Sequence, residues 1–453
     1  MSRGPRLNAL GALFAAAMLA APANAADWDD CVRQSGDTAI AACTRTIDSG
    51  MYSGRILAQA YNNRGVEWTA KGDLARALAD FDEAIRHDPR QAAAFNNRGL
   101  AHAAKGDYDR AIADHDQAIE RDQKSANAHD NRGLAYVKKG EIRRAIADFD
   151  ASIELEPDAA RFNNRGNAFA SLGELDRAIR DFGEAITLNS RYAIAFYNRG
   201  NAHFATGDAE RAIKDYDQAI ALDAKYQDAL VNRGVAQERL NRLDRAIADY
   251  DTALKLDAKD AFARYNRGNA WLKKGQIDRA IADYDQALAL DAKNAGVYFS
   301  RAIAHESKRA FARAIADYDQ VTTLQPDNAV AWNSRCWARA LAGQFESALA
   351  DCSEALRLKP DYVNAFDSRG FVHLRAGQFM RAIEDYDQAL RLEPRKVASL
   401  YGRGLARRQH GDEIGGNADL AAARVLRPNA VAEFARYGVA PPATTTPAQV
   451  GRF

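Results

Sequence analysis

Arg64, Arg98, Arg132, Arg165, Arg199, Arg233, Arg267, Arg301, Arg335, Arg369 and Arg403 follow one another at steps of 34 residues, broken once by a step of 33 between Arg132 and Arg165. A period of this length marks a supersecondary unit stacked on copies of itself, which excludes a single globular core as the organising element. The missing residue falls around Pro157 to Phe162, in a connection between apolar stretches. A deletion there alters a turn and spares the packed faces.

Every period carries two apolar stripes at helical spacing, separated by a breaker such as Gly72-Asp73, Gly106-Asp107 or Gly207-Asp208. Each repeat is therefore a helix, a tight turn and a second helix. A helix pair this short cannot bury both of its faces, so neighbouring pairs must share one elongated core.

With positions counted 1 to 34 and the triplet's glycine at position 8, that position is Gly in nine of eleven repeats, position 20 is Ala in ten, and position 24 is Phe or Tyr in eight. This pattern resembles the tetratricopeptide repeat, across residues 58–430. The resemblance implies an all-α fold, a right-handed α-α superhelix or solenoid of helix-turn-helix repeats. Proline at position 32 occurs in only six repeats, so the inter-repeat turns are less uniform than the helices. In an antiparallel hairpin turning between positions 15 and 16, position 8 faces 23 to 24, 11 faces 20, and 4 faces 27. Small residues opposite large ones let the two helices interdigitate.

Residues 26–57, with the degenerate second helix "SGDTAIAACTRTI", read as an N-terminal cap. Residues 431–439 read as a closing helix, and the Pro/Thr-rich 440–453 as a disordered tail.

The family usually has an apolar residue at position 7, yet here it is always the arginine. Position 23 is as constant: Asp80, Asp114, Asp148, Asp181, Asp215, Asp249, Asp283, Asp317, Asp351, Asp385 and Asp419. The hairpin places positions 7 and 23 across from each other, so an ion pair between the helices is expected within every repeat. Its expected effect is registry, because a slipped hairpin strands a buried charge. The rival partner is the Asp at position 25, present in eight repeats.

Position 6 holds Asn63, Asn97, Asn131, Asn164, Asn198, Asn232 and Asn266, then Ser300, Ser334, Ser368 and Gly402. In the family the stripe through positions 2, 6, 9 and 13 lines the inner wall of the superhelix. A row of carboxamides there is expected to donate to and accept from the backbone of an extended peptide. It resembles the asparagine ladder in the repeat superhelix of O-linked N-acetylglucosamine transferases, although no catalytic domain of that kind is present. The plainer alternative is local hydrogen bonding between helices. Tyr197, Tyr265, Phe299, Trp337 and Tyr401 at positions 5 or 9 add apolar anchors, so an amide-rich part is expected to precede an aromatic-rich part. The family's carboxylate clamp needs Lys or Arg at positions 2 and 5, where this chain has none.

The 453 residues carry 62 Lys+Arg against 61 Asp+Glu, a balance that points at neither nucleic acid nor an acidic surface. Arg3 and Arg6 precede an apolar run, Leu7 to Ala20, closing on Ala23-Asn24-Ala25, so residues 1–25 read as a secretory signal peptide. The mature chain is then exported without a membrane span, and periplasmic in a Gram-negative source. In an oxidising compartment the four cysteines read as two disulfides, Cys31 with Cys43 and Cys336 with Cys352, the second pair at facing positions 8 and 24.

Six of the eight histidines replace packing aromatics and are spread over different repeats, not gathered at ligand spacing. No phosphate loop, nucleophile elbow or metalloprotease helix is found. The expectation is a non-enzymatic exported scaffold without cofactor or metal, binding an extended segment of a protein client on its concave face. The alternative is a structural component of a cell-envelope assembly, or a self-associating solenoid.

Overall fold

The computed structural model describes residues 23–435 and Tyr437. The expected signal sequence up to residue 22 and the tail from residue 440 lie outside the described residues. Every regular element among the described residues is an α-helix. Two compact bodies divide between Ala224 and Lys225.

In the first body the cap pair Ala23–Arg33 and Gly36–Asp48 precedes repeats 1 to 5. Their helix pairs are Gly54–Ala70 with Leu74–His87, Ala92–Ala104 with Tyr108–Arg121, Ala126–Lys139 with Ile142–Leu155, Ala159–Ser171 with Leu175–Leu188, and Ala193–Ala205 with Ala209–Leu222. The second body holds repeats 6 to 11: Gln227–Arg239 with Leu243–Leu256, Ala261–Lys273 with Ile277–Leu290, Ala295–Ser307 with Phe311–Leu324, Ala329–Leu341 with Phe345–Leu358, Val363–Arg375 with Phe379–Leu392, and Val397–Gln409 with Glu413–Leu426. A short helix, Ala430–Ala435, follows.

The hairpin turn needs a left-handed residue at position 15, which glycine supplies in nine repeats, for example Gly72 at φ 78°. Asn241 and Arg309 adopt the same conformation at φ 57° in repeats 6 and 8. Asp73, Asp107, Asp208 and Asp412 then cap the second helix, each accepting from the backbone N–H three residues on. The 33-residue repeat loses its residue between Leu155 and Ala159, where Asp158 caps the next helix. Arg161 donates to the Glu156 carbonyl at 2.7 Å within that shortened turn.

Within each hairpin the large residue at position 24 lies against the glycine at position 8. A Cβ on Gly65 would stand 2.7 Å from Phe81, and one on Gly268 2.6 Å from Tyr284. The alanines at position 20, Ala77 through Ala382, are fully buried, closing the helices around these rings. In repeat 9 the glycine and the ring are replaced by a disulfide, Cys336–Cys352, at a Cα–Cα separation of 5.4 Å. The second disulfide, Cys31–Cys43, ties the cap pair together.

Candidate functional site

Two polar rows run along the stacked repeats, and the fold assigns them different work. In all eleven repeats the position-7 guanidinium grips the position-23 carboxylate with two parallel bonds, Nε to Oδ2 and Nη2 to Oδ1, at 2.5 to 3.0 Å. The aspartates are 2 to 7% exposed.

The position-25 aspartate is not a rival but a further partner. Nη1 of Arg98, Arg132, Arg165, Arg267, Arg301, Arg335 and Arg403 reaches back to Asp82, Asp116, Asp150, Asp251, Asp285, Asp319 and Asp387 of the preceding repeat at 2.6 to 2.8 Å. One arginine thus closes its own hairpin and fastens it to the one before. At Arg199 and Arg369 the equivalent position is Gly183 or Ser353, so no carboxylate stands there. Arg64 turns to the cap instead, donating to Thr44 Oγ1 at 3.0 Å.

The second row is the asparagines. Asn97 Nδ2 donates to Asn62 Oδ1 at 3.0 Å, Asn131 to Asn96 at 3.0 Å, and Asn198 to Asn163 at 2.9 Å. Asn164 Nδ2 points at the Asp130 carboxylate at 3.3 Å, which can only accept and so fixes that amide's orientation. These bonds orient the expected ladder from the preceding repeat. One N–H of each amide is drawn into the joint between repeats, which fixes the amide's direction and leaves the oxygen as a half-buried acceptor. Asn63 donates to the Cys31 carbonyl at 3.3 Å. Asn232 is half-buried, whereas Asn266, only 9% exposed, donates to its own helix at Phe262 O and leaves the row.

Ser300 and Ser334 stand beside the hydroxyls of Tyr284 and Tyr318 from the preceding hairpin. At Gly402 a Cβ would lie 2.2 Å from Tyr386, so no side chain fits there.

Among the aromatics, Tyr197, Tyr265 and Phe299 are half-buried. They rest on Tyr216, Tyr284 and Tyr318 of their own hairpins, with ring centroids 6.1, 6.2 and 5.5 Å apart. Trp337 lies 4.8 Å from Phe371 and 5.2 Å from Tyr437. Tyr401 is fully buried and stacked on Phe434 at 4.5 Å, which corrects its reading as an anchor. The closing helix makes that burial, and sequence spacing alone did not show where it would dock.

The position-11 histidines have Nε2 3.7 to 3.9 Å from the position-23 aspartate of the same hairpin. Burial lowers the pKa of His102, His203 and His305, keeping them neutral. Among the described residues no group of three or more His, Cys, Asp or Glu is placed to hold a metal ion, and no helix is long and apolar enough to cross a membrane.

One site was missed by the sequence reading. Two cavities of about 460 and 290 Å³ in repeats 8 to 11 share Glu306, Trp337 and Tyr437 in their walls. Asn333, Asp367 and Lys396 line the larger one. The available signal was the acidic residue at position 12, found only in repeats 6 and 8.

Models of the tetratricopeptide repeat match residues 70–127, 197–261, 299–363 and 369–428, and further models of the same repeat match 166–207, 268–308 and 126–158. This chain belongs to the tetratricopeptide repeat family. Its fold is accordingly an all-α solenoid of stacked helical hairpins, a type that serves in general as a protein-interaction scaffold. Among solved structures, MamA is 27% identical over 36% of this repeat protein and 96% of its own chain, at a TM-score of 0.34. YrrB, described as a TPR protein with an unusual peptide-binding site, is 22% identical over 40% of this chain and 95% of its own, at 0.36. The APC/C hetero-tetramer Cut9-Hcn1 covers 91% of this chain and 95% of its own at 11% identity and 0.46. No curated protein matches the repeat protein closely enough to count as a relative.

Proposed function

We propose that this tetratricopeptide repeat protein is a non-enzymatic, exported scaffold that holds an extended peptide segment of a protein client along the faces formed by its first helices. The observation that carries this reading is the row of asparagine oxygens at Asn97, Asn131, Asn164 and Asn198. Each amide is oriented by donating to the preceding repeat, so the acceptors recur once per repeat with fixed direction. Such a row receives backbone N–H groups from an extended chain and asks little of its side chains. Tyr197 in the same body, and Tyr265, Phe299 and Trp337 in the second, supply half-buried rings for apolar side chains. Export through the signal sequence fits the two disulfides, which persist in oxidising compartments.

The test is capture of the client by crosslinking in the native cell, followed by binding to a triple variant, Asn97→Ala, Asn131→Ala and Asn198→Ala. With each lost hydrogen bond worth about 1 kcal/mol, affinity falls by roughly a hundredfold while helical content is kept. Undiminished binding removes the asparagine row from the mechanism.

Self-association is the second reading, and one observation favours it. Ile414 and Val425, three turns apart on the last long helix, are 87 and 83% exposed. Light scattering on eluted protein separates the readings: a stable oligomer dispersed by Ile414→Asp supports assembly, and a monomer leaves the peptide scaffold.

A further inference from the structure

Glu238 and Glu306 occupy position 12 of repeats 6 and 8, and the first has a cation that the second lacks. At Glu238, Tyr250 donates to Oε2 at 3.3 Å, and Lys273, 35 residues on in the next first helix, brings Nζ to Oε1 at 2.8 Å. At Glu306 the Tyr318 hydroxyl again stands beside the carboxylate, but the residue 35 positions on is Leu341. Glu306 Oε1 is left buried without a partner. Burial with no compensating cation pushes this carboxyl up to about 7.

The space that a lysine would fill is open. Leu341 lines the cavity of about 290 Å³ together with Glu306, Trp337 and Tyr437. The adjoining cavity of about 460 Å³ adds Asn333, whose Oδ1 is also buried and unpartnered. Arg395 and Arg427 also line the larger cavity, and neither is among the groups that bear on the Glu306 carboxyl. Four other basic side chains around the cavities are engaged elsewhere. Lys308 pairs with Asp278, Arg309 lies over Phe311, Arg375 donates to the Tyr437 carbonyl, and Lys396 donates to Asn364.

We propose that this cavity binds a primary alkylammonium group, the end of a lysine side chain, with Glu306 as its counter-ion and the rings of Trp337 and Tyr437 along its stem. An ammonium carries three donors, enough for the two unpartnered acceptors, Glu306 Oε1 and Asn333 Oδ1, and an aromatic wall adds cation–π attraction. Repeat 6 holds the same group from within, through Lys273. Delivery of the lysine by a client peptide rests on the peptide-binding reading; a free amine does not.

The experiment uses the full chain at pH 8 and constant chloride, titrated calorimetrically with two probes. One is N-acetyl-lysine-N-methylamide, and the other a blocked nonapeptide of Gly, Ser and Ala with one central lysine. Each is compared with its norleucine analogue. The expected result is a lysine preference of at least tenfold in the wild type. Glu306→Gln abolishes it, and so does Leu341→Lys, whose own ammonium fills the place and raises the thermal midpoint.

A peptide bound tenfold tighter than the amide identifies the peptide source, and equal binding identifies a small amine; both support the site. Peptide binding without lysine preference overturns this inference and leaves the scaffold reading standing. A lysine preference that survives Glu306→Gln overturns it as well.

Discussion

Arg267→Ala destabilises the second body by about 3 kcal/mol, the cost of removing one partner from a buried charge pair. The change orphans Asp283, which is 4% exposed, and also removes the bond to Asp251 in the repeat before. Asp283→Ala is expected to cost a similar amount because it strands the guanidinium. The double variant recovers much of the loss, so denaturant melts of the four proteins give a coupling of more than 1 kcal/mol. Asp251→Ala costs less than about 1 kcal/mol, since that carboxylate is 44% exposed and screened by water. Arg267→Lys does not restore stability fully, because an ammonium cannot reproduce a planar fork reaching two carboxylates. Additive single losses with no coupling would show that the pairing contributes nothing beyond two buried charges.

His115 gives the second large effect, and it depends on pH. The ring is fully buried at position 24, its Nδ1 lies 3.1 Å from Asn96 Oδ1, and Nε2 has no partner. Burial, with the Arg132 charge as a smaller cause, lowers its pKa from 6.5 to about 4. The unfolded chain therefore takes up a proton below about pH 6.5 that the folded chain refuses until about pH 4. Stability is fully present above the unfolded value and is lost as pH falls through this window, by about 3 kcal/mol at its lower end.

His115→Phe installs the residue found at this position in repeats 1, 3 and 4, namely Phe81, Phe149 and Phe182. Melts at pH 7 and pH 4.5 are expected to show a much smaller acid loss in the variant. Equal losses would place the acid sensitivity elsewhere in the molecule.

How much of this was legible varies with the interaction. The hairpin and its Gly-to-aromatic packing follow from periodicity, because a small residue facing a large one leaves few ways to close two helices. The position-7 to position-23 pair was legible from its presence in every repeat. Its second arm was not, since Arg98 stands sixteen residues from both Asp82 and Asp114. Spacing offered the position-25 aspartate of the same repeat as the alternative, whereas a guanidinium with five donors at the joint takes Asp114 and the position-25 aspartate of the repeat before.

The asparagines show the limit more plainly. Helical spacing put them on one stripe, but a carboxamide has a donor side and an acceptor side, and only the neighbouring helix decides which way each points. Tyr401 had the spacing of an exposed anchor and is covered by Phe434. Glu306 is one residue among many acids in the sequence. It becomes distinctive only beside Glu238, where Lys273 supplies the cation that Leu341 cannot.

The sequence by itself determined the repeat, the helix pair within it, the residues that interdigitate and the cysteines that face each other. These depend on contacts at fixed separations along one chain, which a 34-residue period writes out eleven times. Tertiary structure alone decided which amide hydrogens are used up, which ring is covered and which carboxylate lacks a cation. Each depends on what the adjoining repeat presents at an interface, where a single change such as Lys to Leu alters the chemistry without disturbing the period.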